Sequence, residues 1–382
     1  YLGTGRYTPA GLQQELFRLG LSMDVNAGED RCYVSLSGLE TSFEKGVELL
    51  EHVLSSVVPD TATYRDYMEG ILKKRADDKL NKNTILWSRL FNYGKYGPFS
   101  PVTHILSEAE LANLDPAVLA DKLHQLTSYK HKVFYYGTRD LAGVRSMLRK
   151  HHQLPESLND YPPAAEFIFQ ESHQNRVFFV DYDMVQANIL MMAQGPSFDP
   201  SLVPPARLFG EYFGSGLSSI VFQEIRESKA LAYSAFSAFS EPRKLDEPFY
   251  LYGFVGTQAD KLHIATEALM DLMNNMPRAE KQFEMAAESM MRKIETERII
   301  KTQIYWTWQR MRDLGLEHDI RRDVYQAMTE ADMDAFEAFF NEYIAGKKYS
   351  FLVMGKKEDI DMNVLAQLGV VKELTLEEIF GY

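Results

Sequence analysis

The sequence predicts an α+β chain built from two homologous domains, each a mostly antiparallel sheet with helices packed on one face. Three observations carry this. The two halves run through hairpins and helices in the same order. Their closing glycines keep one spacing: Gly38 and Gly256 are 218 positions apart, and so are Gly137 and Gly355. Neither half shows the strict strand–helix–strand alternation of a parallel sheet.

In the first half, residues 8–19 read as a helix with Thr8 as its cap and Pro9 in its first turn. The runs "SMDVNA" and "RCYVSLSG" alternate apolar and polar residues around Gly28-Glu29-Asp30, the pattern of a hairpin. An amphipathic helix follows, with Phe43, Val47, Leu50 and Leu54 on one face. A long helix over about 61–80 comes next, and another begins near Ile85-Leu86-Trp87. Ser107-Glu108-Ala109-Glu110 has the form of a capping box, in which serine and glutamate satisfy each other's backbone N–H groups. The run "HKVFYYG" reads as a strand, with a helix near 140–150 after it.

The second half repeats the order. Its hairpin is "LAYSAFSAFS" with "PFYLYGFVG", followed by the helix "ADKLHIATEALMDLMNNM". Two more helices follow, with Ile304 and Trp306 standing 219 positions after Ile85 and Trp87. Thr329-Glu330-Ala331-Asp332 starts the next helix, and the strand "KYSFLVMG" and a short last helix close the chain. The expected domains are 1–153 and 176–382, joined by a proline-containing linker at 154–175. The face of each sheet opposite the helices is left for a substrate strand to lie on.

Bulk properties narrow the function. The 382 residues carry 41 Lys plus Arg against 54 Asp plus Glu, a net charge of −13, which disfavours nucleic acid as a partner. No apolar run is long enough to span a bilayer, and no signal peptide is visible. One cysteine, Cys32, excludes an internal disulfide framework and reads as a half-buried strand residue. The opening "YLGTGRYT" has no methionine and starts inside an element, so the chain is expected to be a fragment.

The residues assemble no complete catalytic set. Of nine histidines, no two have the spacing of three or four that places ligands on one helix face, and each reads as a surface or capping residue. "ELLEH", Glu48 to His52, has the shape of the inverted zinc motif H-x-x-E-H with glutamate in the first position, and reads as solvated helix surface. The glycine-rich helix start at Gly214, Ser215 and Gly216 is a candidate substrate-binding site whose free N–H groups suit an anion; a close backbone approach between two helices explains the glycines at least as well.

The stretch "LFGEYFGSGLSSIVFQEIRESKALAYSAFSAF" closely resembles the C-terminal-type domain of the M16 (pitrilysin-like) zinc metallopeptidases, in which a glycine-broken helix leads to an R-E-x-x-x-L-A-Y turn. The duplication, the domain size and the closing "LTLEEIFGY" fit the same family in its bacterial long form. That resemblance implies the M16 (LuxS-like) fold and a clamshell of four homologous domains, of which this chain resembles the third and fourth. It implies that zinc is held by the N-terminal half and not by this chain. It also implies that Arg226 and Tyr233 reach across a closed chamber to assist catalysis. The partners implied are the chain's own N-terminal half and peptide substrates, in a bacterial setting such as the periplasm or cell envelope. If residues ahead of Tyr1 carried the zinc histidines, the zinc-binding glutamate would fall near Glu69. A different class of function stays open beside this one: a non-catalytic M16-type scaffold or peptide-binding subunit.

Overall fold

The computed structural model describes residues 2–28, 30–214 and 216–382. It is a mixed α/β structure that divides into two units. One contains residues 1–81, 104–167 and Tyr382; the other contains 82–103 and 168–381.

The first unit begins with the helix Pro9–Leu19. Thr8 caps it by accepting a hydrogen bond from the Gly11 N–H, and Gly20 ends it at φ 64°. β1 (Leu21–Ala27) and β2 (Cys32–Gly38) form a regular antiparallel hairpin with Leu21 opposite Gly38 and Ala27 opposite Cys32. The expected turn between them includes Glu29, which lies outside the described residues. Gly38 is required where it stands: a Cβ there would lie 2.2 Å from the Gly20 carbonyl oxygen. The helix Phe43–Ser56 closes over the hairpin, and Leu12, Leu16, Leu19, Leu21 and Leu49 form a small core. Within that helix Val47, Leu49 and Leu54 are buried. The helices Thr61–Asp78, Glu108–Asn113 (with the complete Ser107–Glu110 capping box) and Leu141–His151 follow the expected order.

Two expectations for this unit fail. Cys32 is exposed: it sits at the turn end of a two-stranded hairpin, opposite Ala27, which is exposed as well. Residues 131–137 form no strand. A strand needs a neighbouring edge to satisfy its backbone groups, and among the described residues this segment has none. Side chains tie it down instead: the Tyr135 hydroxyl donates to Glu40 Oε2 at 2.8 Å and Arg139 Nε donates to Glu40 Oε1 at 2.6 Å.

The second unit is built on a six-stranded sheet. Its strands are β3 (Arg176–Asp181), β4 (Gln186–Ser197), β5 (Ser234–Ser240), β6 (Pro248–Gln258), β7 (Ser350–Gly355) and β8 (Val370–Leu374), in the order β5-β6-β4-β7-β3-β8. The β5/β6, β6/β4 and β4/β7 pairs are antiparallel, and β3 runs parallel to both β7 and β8. On one face Val177, Phe179, Ile189, Met191, Phe351 and Val353 pack against the helices Val203–Phe209, Leu262–Asn274, Glu280–Thr296 and Met333–Tyr343.

The opposite face is not open. The helical run 82–96 lies across it, with Ile85, Leu86 and Leu90 fully buried. Trp87 sits 5.1 Å from the Phe254 ring, Phe91 5.4 Å from Tyr252, and Tyr93 5.2 Å from Phe178. Gly94 permits the approach, since a Cβ there would meet Met192 Sδ at 2.7 Å and Leu352 Cδ2 at 2.8 Å. Both sheet faces are therefore apolar, as Leu190, Leu352 and Met354, each fully buried, attest.

Candidate functional site

The site is one helix-to-strand junction in the second unit. The chain approaches it through residues 203–214, whose Phe209, Tyr212 and Phe213 are anchored in the core. The Tyr212 hydroxyl donates to the Pro277 carbonyl at 2.8 Å and accepts from the Ala279 N–H at 3.0 Å. At Gly214 the helix end touches β5. A Cβ would lie 1.9 Å from the Ser237 carbonyl oxygen, so only glycine fits. Gly214 is thus committed to packing. Ser215 lies outside the described residues. Gly216 adopts φ +95° with open space around it, a left-handed backbone that favours glycine.

A second helical segment, 220–228, starts after Ser219. That serine is buried, donates to the Gly216 carbonyl at 2.9 Å and accepts from the Phe222 N–H at 3.3 Å. Ile220, Val221 and Ile225 bury one face of the segment, which turns Arg226 outward. The Arg226 side chain is 46% exposed; its guanidinium stands 4.8 Å from the Phe222 ring centroid, and its Nε is 3.7 Å from Glu227 Oε1. Exposed on a helix, with a loose ion pair, it keeps donors available to a ligand.

The turn that follows is held from both sides. The Lys229 N–H donates to Glu224 at 3.2 Å, the Leu231 N–H to Ile225 at 3.0 Å, and Thr257 Oγ1 to the Leu231 carbonyl at 2.5 Å. Ala230 closes it at φ 48°, the one non-glycine residue with a left-handed backbone among the described residues. Such a conformation costs roughly 1–2 kcal/mol and persists only where its surroundings enforce it. The Tyr233 N–H then donates to the Gly256 carbonyl at 2.9 Å, and β5 begins at the next residue. The Tyr233 side chain is exposed, and among the described residues nothing hydrogen-bonds its hydroxyl. Arg226 and Tyr233 are therefore two exposed donors on a rigid backbone, flanking one strained turn.

The zinc-motif candidates do not converge. His52 Nε2 is 2.9 Å from Thr4 Oγ1, with its ring edge-on to Tyr7, while Glu48 and Glu69 point to solvent. Among the described residues no group of three His, Cys, Asp or Glu side chains is placed to hold a metal ion. Glu48, His52 and Glu69 therefore assemble no metal site.

A family model matches residues 132–290, a span that includes the whole junction; it describes the Peptidase M16 inactive domain. Residues 132–290 are thus similar to the inactive type of M16 peptidase domain. It is similar to an uncharacterized zinc protease of Rickettsia bellii, with 22% identity over 293 residues, 74% of this chain and 68% of that protein. In fold it matches the peptidase M16 inactive domain from Pseudomonas fluorescens, with a TM-score of 0.69 and 14% identity over 93% of this chain and 85% of that one. It also matches the periplasmic protease PqqL from Escherichia coli, with a TM-score of 0.66 and 12% identity over 93% of this chain; there it spans 39% of the longer protein. These likenesses agree with a C-terminal-half type of M16 chain. No helix among the described residues is long and apolar enough to cross a membrane.

The sequence singled out Arg226 and Tyr233 but did not show what fixes their backbone. The left-handed Ala230 and the buried cap at Ser219 carry no compositional signal, because alanine and serine are ordinary residues at either place.

Proposed function

We propose that this chain is the C-terminal, non-metal half of a zinc-dependent endopeptidase, with its M16-type domains at 1–153 and 176–382. Peptides are cut in a chamber that it walls together with an N-terminal half holding the zinc. Arg226 binds and orients the peptide by fixed charge and multiple donors. The Tyr233 hydroxyl donates to the scissile carbonyl as its oxygen gains charge. Zinc in the other half supplies the Lewis acidity and the activated water. A donor aimed at a developing oxyanion in a water-poor chamber typically contributes a few kcal/mol to the transition state.

The observation that carries this reading is the junction itself: two exposed donors on a backbone pinned at Ile225 and Gly256, at the cost of a left-handed alanine. A surface arginine and tyrosine without a role need no such strain. The test is to mix the chain with an M16 half bearing H-x-x-E-H from the same genome and assay peptide cleavage. Metal-dependent activity in the mixture and none in this chain alone is the expected result. Peptide binding with no cleavage in any mixture would favour a scaffold or peptide-binding subunit.

A further inference from the structure

We propose that His131 and His152, in the first unit, bind one divalent transition-metal ion of the zinc, nickel or copper class. This site is independent of the proposed peptidase role and is defined by the hydrogen bonds at each imidazole. His131 Nδ1 is 2.7 Å from the Tyr129 carbonyl oxygen, and an oxygen of that kind only accepts, so Nδ1 carries the proton. His152 Nδ1 is 2.7 Å from Glu51 Oε1, which as a carboxylate fixes its proton there too. With both Nδ1 atoms protonated, the two Nε2 atoms hold at most one proton between them. The structure brings these two Nε2 atoms to 2.8 Å, with ring planes at 85°.

Two lone pairs at that distance repel unless a cation lies between them. One shared proton satisfies the pair, and so does a metal ion. The arrangement is the one that metal-binding histidines use, with the far nitrogen of each ring held by a carboxylate or a backbone carbonyl, which sets the tautomer and raises the basicity of the nitrogen that faces the metal. Imidazole nitrogen suits zinc, copper and nickel. Metal–nitrogen bonds of about 2.0–2.1 Å in a tetrahedral site separate two ligand nitrogens by roughly 3.3 Å, so the rings need to open by about half an ångström. His131 has that freedom: it is exposed and lies in a segment with no strand ladder. His152 and Glu51 are the fixed side, with side chains 12% and 18% exposed. Nearby cations are already neutralised, Lys150 by Glu44 and Lys130 by Asp160, so the Glu51 carboxylate offsets the incoming charge. Solvent completes the coordination.

The test is calorimetric titration of the metal-stripped, tag-free chain with Zn²⁺ or Ni²⁺ alone. Saturable binding of one ion per chain is expected. His131→Ala removes saturable binding; its exposed side chain makes it the variant least able to disturb folding, which circular dichroism checks. Glu51→Gln weakens binding by about tenfold or more. His318→Ala, at a histidine paired with Asp323 in the second unit, leaves it unchanged. Absence of saturable binding to the wild type, or binding that persists in a folded His131→Ala chain, overturns the proposal.

Discussion

The Tyr233 N–H donates to the Gly256 carbonyl at 2.9 Å, which makes the tyrosine backbone the first rung of the β5/β6 ladder while its ring stands in solvent. Backbone rigidity and side-chain exposure at one residue are what a substrate-facing donor needs. Gly256 lies inside β6, two residues before its end at Gln258, whereas Gly38, 218 positions earlier, ends β2.

The glycines around the junction separate packing from strain. Gly214→Ala should destabilise the chain by about 2–3 kcal/mol or more, because its Cβ meets the backbone oxygen of Ser237, which cannot swing aside. Gly216→Ala should cost about 1 kcal/mol through φ alone, since its surroundings are open. Gly210→Ala, helical and unobstructed, should be neutral or stabilising by up to about 1 kcal/mol. Ala230→Gly should be neutral to about 1 kcal/mol stabilising, as relief of the left-handed strain is partly offset by the flexibility of unfolded glycine. Urea denaturation of the four variants checks the order.

The layer formed by residues 82–96 should be integral to the second unit. Leu90 is fully buried in it, so Leu90→Ala is expected to cost about 2–5 kcal/mol. Tyr93→Phe removes the acceptor that takes a 2.6 Å hydrogen bond from Lys372 Nζ and should cost less, about 1 kcal/mol. Hydrogen exchange of the β7 amides before and after Leu90→Ala tests whether this layer protects the sheet. Unchanged protection would argue against it.

Acid should loosen the first unit through Glu44. Hydrogen bonds from Lys150 first, and His151 second, hold its carboxyl down at about 2. A carboxyl depressed in the folded state contributes stability above its unfolded value, near 4.5, and that contribution is lost as the pH falls towards 2. The tie joins the helix Phe43–Ser56 to the end of the helix Leu141–His151. Glu44→Gln should therefore flatten the decline in stability between about pH 5 and 2. An unchanged acid limb in the variant would assign the decline to other carboxylates.

Much of the fold is legible because it rests on local chemistry. Thr8 and Ser107 cap helices where their side chains lead one to expect it, and Gly38 and Gly355 end strands, whereas Gly256 lies inside β6, Gly137 is in no strand, and the run Thr329–Asp332 ends one helix at Thr329 before Asp332 caps the next. What stayed hidden depends on distant partners. The run 131–137 has a strand's composition, but a strand exists only with a neighbour to pair it, and composition does not show who the neighbour is. The apolar stripe of Ile85, Leu86 and Leu90 announces burial without saying that its cover is a sheet whose strands start about ninety residues later. At the candidate site the R-E-x-x-x-L-A-Y pattern drew attention to Arg226 and Tyr233. The pairing of His131 with His152 was invisible, because the two are 21 residues apart and meet only through tertiary structure.

The central claim is that Arg226 and Tyr233 serve catalysis and not folding. The measurement that tests it most directly is peptide turnover by the chain mixed with the zinc-bearing half, comparing wild type with Arg226→Ala and Tyr233→Phe. Both side chains are exposed, so each variant should fold with stability within about 0.5 kcal/mol of wild type. Turnover by each should nevertheless fall roughly a hundredfold or more. Wild-type turnover by both variants in an active mixture would contradict the account.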